Sequence, residues 1–98
     1  MKNTAKYSKQ DLLNFLKNTG KCDKIKLRYE SPNALANDIT LNDVNVLSFV
    51  DGRLVVSSSY PPGNFVIDEK DESISLIIIY QEGVVRYYSK ADINFEEL

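Results

Sequence analysis

Histidine and tryptophan are absent from this 98-residue chain, and cysteine occurs once. Without histidine there is no Ser-His or Cys-His nucleophile pair and no imidazole acid–base step. Zinc sites of the usual Cys/His kind fall with it, because Cys22 alone cannot supply four ligands. The lone cysteine also cannot close an internal disulfide, which fits a reducing compartment, and a cytoplasmic location is expected. No glycine loop of Walker or dinucleotide-binding spacing occurs. No apolar run approaches the roughly 20 residues that cross a bilayer, so no membrane partner is expected. The first 18 residues carry lysines but no sustained apolar stretch or small-residue cleavage site, and no secretory leader is expected.

What remains is carboxylate and hydroxyl chemistry, and neither is organised in sequence. Asp68-Glu69-Lys70-Asp71-Glu72 lacks the ligand order and the glycine of an EF-hand loop and reads as a solvated turn. Ser57-Ser58-Ser59 has no base beside it and reads as polar strand filling. Tyr60-Pro61-Pro62-Gly63 lacks the P-x-x-P spacing of a polyproline ligand and reads as a rigid turn. Cys22 lies just past an expected helix C-terminus, where the dipole raises a thiol pKa and disfavours reactivity. No enzyme activity, metal or cofactor is therefore expected. The abundance of Asn, Lys, Ile, Tyr and Phe reflects AT-rich codons and points to a low-GC bacterium or its phage as the source.

The chain is of a length for one domain, residues 1–98, with apolar and charged fractions of an ordinary globular protein. Its net charge of −2 hides an asymmetry. Residues 1–28 hold eight bases against Asp11 and Asp23, a balance of +6, and residues 29–98 balance at −8. Such polarity either steers a partner or lets the two halves neutralise each other in the fold.

A helix is expected over 9–19. Ser8 is placed to cap it with Asp11 three residues on, Tyr7 and Leu12 hold the staple positions, and Gly20 ends it. Leu12, Leu13, Phe15 and Leu16 form its apolar stripe. Ile25, Leu27 and Tyr29 alternate with charges in a strand with one wet face, broken by Ser31-Pro32-Asn33. Ala34 to Asn37 reads as a short helical turn. Asp51-Gly52 and Glu82-Gly83 are two-residue hairpin turns. Around the first, Leu47, Phe49, Leu54 and Val56 are expected on one face, and Val44, Val46, Val50 and Val55 on the other. Phe65-Val66-Ile67 reads as a short strand, and Ala91 to Leu98 as a last strand or a frayed end. The fold class is α+β, with the N-terminal helix packed on a curved, mainly antiparallel sheet of about 5–6 strands built from hairpins.

The segment Ile74 to Lys90 is apolar on both faces. Ile74, Leu76, Ile78 and Tyr80 share one face with Val85 and Tyr87, and Ile77 and Ile79 share the other with Val84 and Tyr88. One helix of about 16 Å covers one face of such a sheet, and the expectation places it on Leu76, Ile78 and Tyr80. The second face then either closes internally or meets another molecule. Ile77, Ile79, Val84, Arg86 and Tyr88 are accordingly the candidate partner interface. The expected function is a small non-enzymatic protein-binding module, an inhibitor, immunity or regulatory protein, whose partner is another protein or a second copy of the chain. The alternative is a nucleic-acid binder that uses the basic N-terminal segment, with Lys17, Lys21, Lys24, Lys26 and Arg28 as candidate anion contacts.

Overall fold

A computed structural model describes residues 4–91. The elements in chain order are β1 (Thr4–Lys6), α1 (Lys9–Thr19), β2 (Lys21–Ser31), β3 (Ala34–Val50), β4 (Arg53–Ser59), β5 (Pro62–Asp68), β6 (Ile74–Gln81) and β7 (Val84–Ser89). The seven strands form one sheet in the order β1-β7-β6-β2-β3-β4-β5. Every pairing is antiparallel except β1 with β7. The α+β class and the helix stand as expected. The strand number and the expected curvature do not, and the sheet is not closed on itself. No helix among the described residues is long and apolar enough to cross a membrane.

The local signals behave as their chemistry requires. Ser8 Oγ accepts from the Asp11 amide at 3.1 Å, and Gly20 at φ 79° donates its amide to Leu16 O at 2.8 Å. Both hairpin turns place two consecutive residues at positive φ: Asp51 and Gly52 at 53° and 78°, Glu82 and Gly83 at 49° and 79°. That is the backbone of a type I′ turn, whose twist matches the flanking strands. Ser31 pairs with Ala34 across Pro32-Asn33, so Ala34 to Asn37 opens the long strand β3 instead of forming a helical turn. β5 begins at Pro62, earlier than expected, and β1 has no counterpart in the sequence reading. The expectation for 92–98 falls outside the described residues.

Two irregularities decide which face is which. Between Val46 and Ser48 the pairing of β3 with β4 slips by one residue, and Leu47 is the extra residue of a bulge. The slip moves Val46 to the side of Phe49, Leu54 and Val56, against the expected division, and leaves Leu47 exposed. A second slip, at Arg28/Tyr29 against β6, brings Ile74 into the main core.

The second correction concerns the helix. Leu12, Leu13 and Leu16 are fully buried and share one cluster with Ile25, Leu27, Leu41, Ile77 and Ile79, extended by Leu54, Val56 and Ile67. The helix therefore covers the Ile77–Ile79 face, not the Leu76–Ile78–Tyr80 face. Register gives the cause: Ile79 lies opposite Ile25, and Ile77 opposite Leu27. The faultless alternation of β2 makes its Ile25/Leu27 side the dry one, and β6 follows its neighbour. Leu76 and Ile78 are buried too, on the opposite face, between Arg28 and Ser89 and between Lys26 and Tyr87 in register. Basic side chains there stand over apolar strand surface with their charged heads outward.

Candidate functional site

This packing takes two of the five residues of the expected partner interface out of reach. Ile77 and Ile79 have no exposed surface and belong to the core, so the folded chain cannot offer them to a partner. The other three pack with the helix side or the turn. Arg86 stacks its guanidinium 4.1 Å from the centre of the Phe15 ring and donates to Tyr7 Oη at 3.2 Å. Tyr88 is half-buried against the core with Lys9 Nζ 5.3 Å from its ring centre. Val84 is half-buried at the Glu82-Gly83 turn.

The candidate anion set is brought together in part. Lys24, Lys26 and Arg28 line up on the open face of β2, opposite Tyr80, Ile78 and Leu76 of β6. Lys24 Nζ stands 5.5 Å from the Tyr80 ring centre. Lys17 is on the helix side, 5.9 Å from the Phe49 ring centre, and Lys21 lies at the start of β2 beside Gln81, whose amide donates to its carbonyl. Two of the three aligned charges are already matched. Asp38 of β3 accepts from Arg28 Nε at 2.8 Å and Nη2 at 3.2 Å, and Lys26 Nζ is 3.7 Å away. The bidentate bond to Arg28 holds the Asp38 carboxyl below its usual range and the Arg28 pKa above its own.

Other groups offer little chemistry. The Cys22 thiol is pushed up to about 12, first by burial and then by Asp23, against a hydrogen bond to Lys24 O. Burial, rather than the helix dipole of the sequence argument, is what silences it. Ser58 is buried and hydrogen-bonded to the backbone of Asn42 at 3.2 and 3.3 Å, a structural role. In the acidic loop, Asp71 accepts from Ser73 N and Oγ, and Asp68 accepts from Lys70 N and Arg53 Nε. These bonds shape the turn. Among the described residues no three Cys, Asp or Glu side chains gather as a metal site. An open depression of about 500 Å³ lies beside the helix, lined by Gln10, Asn14, Phe49, Asp51, Glu69 and Lys70, without a paired acid and base.

The sheet's far end carries what the sequence reading missed. β5 is terminal, and among the described residues no strand pairs with its outer side. Glu69 N bonds Gly52 O at 2.9 Å in the same register that sets Leu54 opposite Ile67 and Val56 opposite Phe65. Antiparallel ladders alternate, so Gly63, Phe65 and Ile67 turn their backbone groups toward β4, and Asn64 and Val66 turn theirs outward. Pro62 has no amide, and Asp68 O is taken by Asp71 N at 3.0 Å. The free segment is thus Asn64 to Val66. On the face away from the helix Val66 lies opposite Val55, and Val55 opposite Ser48. Val66 is 55% exposed, Val50 64% and the bulged Leu47 54%. The signals in sequence were Val50 and Val55 on the face away from Leu54; the missing facts were the bulge and the strand order.

No family model matches the chain, and no curated protein or solved structure matches it either.

Proposed function

We propose that the chain is a non-enzymatic protein-binding module, working as an inhibitor, immunity or regulatory protein in the cytoplasm, and that it takes its partner at the β5 edge. One observation carries this: the outer edge of β5 is unpaired, Val66 stands exposed on it, and Leu47 and Val50 of β3 are exposed two strands away. Proteins usually blunt such edges with bulges, prolines or inward charges, because an open edge is a template for another strand. Here Pro62 blunts one end and the Asp68 turn the other, and the centre is left open. An added strand gains main-chain hydrogen bonds from Asn64 and Val66 and side-chain contacts from the valines.

Val66→Pro tests the proposal. Proline is tolerated on an edge where the amide points away from the ladder, so the variant is expected to melt within about 1 kcal/mol of the parent. It removes one outward donor and blocks strand addition. A protein captured by the parent from the source cell, and identified by mass spectrometry, should be lost with Val66→Pro. Capture that survives in a folded variant contradicts an edge-mediated contact.

The row Lys24, Lys26 and Arg28 beside Tyr80 favours the second reading, a nucleic-acid contact on the open face of β2. Asp38 opposes it by neutralising Lys26 and Arg28. Gel shifts with random duplex and single strands at low salt separate the two, since phosphate contacts weaken steeply with ionic strength. Binding that is lost in a Lys24→Glu/Lys26→Glu variant and kept in Val66→Pro would put this reading first.

A further inference from the structure

We propose that the occupant of the β5 edge is an extended segment of a basic protein, in which apolar residues alternate with lysine or arginine. The inference rests on the edge reading above and adds the chemistry of the partner.

Charge changes sign along the strand order. Residues 32–73, which make β3, β4, β5 and their loops, hold seven acids against Arg53 and Lys70, a net charge of −5. The remaining described residues, 4–31 and 74–91, hold nine bases against four acids, a net charge of +5. At the seam between the halves the charges satisfy each other, as Arg28 and Lys26 do on Asp38. At the β5 end the match is thinner, because β5 is the last strand and Arg53 of β4 is the basic residue that faces Asp68 in register. Asp51, Asp68 and Glu69 lie where the end of β5 meets the Asp51-Gly52 turn, and Asp71 and Glu72 follow in the loop that leads to β6, where Lys9 Nζ donates to Asp71 O at 3.0 Å. Arg53 reaches Asp68 at 3.3 Å, and Lys90 reaches Glu72 at 3.6 Å, both as exposed pairs of small worth.

A strand laid along Asn64 to Val66 therefore meets two demands. On the helix side it continues the row of Phe65 and Ile67, which asks for apolar residues. On the other side it runs beside Val66 toward Asp68 and the acidic loop, which asks for a long basic side chain whose stem covers valine and whose head reaches the carboxylates. An acidic strand places like charges together and is rejected. A second copy of β5, which brings Asp68 and the same acidic loop, gains no such match.

The test titrates ¹⁵N-labelled chain with three short synthetic peptides that alternate valine with lysine, threonine or glutamate. Sedimentation of the free chain runs alongside. The expected result is a monomer that binds the lysine peptide about tenfold more tightly than the threonine peptide and does not bind the glutamate peptide. The amides of Asn64 and Val66 shift, the advantage of lysine shrinks with added salt, and Val66→Pro abolishes the shifts. Should proline disturb the strand, Val66→Lys serves in its place and is expected to weaken the lysine peptide selectively. Equal binding of the lysine and threonine peptides at β5 overturns the basic-partner inference and leaves the edge reading standing. Lysine-peptide binding that bypasses Asn64 and Val66, or no peptide binding at all, overturns the inference, and the first of these removes the edge reading with it. Dimerisation of the free chain through β5 also overturns the inference in favour of a second copy.

Discussion

Replacing Ile77 with glutamate is expected to leave no cooperatively folded protein at room temperature. Ile77 has no exposed surface and lies between Leu27 and Tyr88 in register, under the helix that carries Leu12, Leu13 and Leu16. The substitution removes an apolar burial worth about 1.5–3 kcal/mol and puts in its place a carboxylate whose unpaired burial costs several more. Domains of this size have roughly 5–15 kcal/mol in all. Circular dichroism and a thermal scan decide it. Had the Ile77–Ile79 face been the partner interface, the variant would stay folded and lose association alone; a folded Ile77→Glu would restore that division of faces.

Leu12→Ala is expected to destabilise the protein by roughly 2–5 kcal/mol, the range for a buried leucine whose cavity cannot fully collapse. Leu12 is fully buried and belongs to the core cluster that joins the helix to β2, β3, β4, β5 and β6. At about 4–8 °C per kcal/mol for a domain of this size, the melting temperature falls far outside experimental error. Leu35→Ala is the matching control, because Leu35 is 93% exposed and its loss should stay within about 0.5 kcal/mol. A Leu12 variant that melts beside the Leu35 variant would mean that the helix does not hold the core.

Local chemistry was legible in the sequence wherever a few adjacent residues decide the backbone. Ser8, Gly20, Asp51-Gly52 and Glu82-Gly83 each set a cap or a turn through their own φ, ψ and hydrogen bonds, and each does so in the fold. Hairpin register around Glu82-Gly83 followed from the turn alone, with Ile78 opposite Tyr87 and Ile77 opposite Tyr88. The choice of buried face did not. β6 is apolar on both sides, and the deciding contact is with β2, some fifty residues away in the chain. A bulge at Leu47 is likewise invisible to alternation, since a one-residue slip exchanges the faces of everything beyond it. β1 is three residues long, too short for any periodic pattern, and exists by pairing with β7. The candidate site shared this fate. Exposure of the β5 edge is a property of strand order, which neither composition nor spacing contained.

Native-state hydrogen exchange along β5 tests the open edge most directly. In the free chain the amides of Phe65 and Ile67, directed at β4, are expected to be protected, and those of Asn64 and Val66 to exchange at rates near those of exposed loops. Addition of the valine–lysine peptide should slow Asn64 and Val66 and leave Phe65 and Ile67 unchanged. Protection of Asn64 and Val66 in the free monomer would mean that the edge is already paired, and would contradict the account.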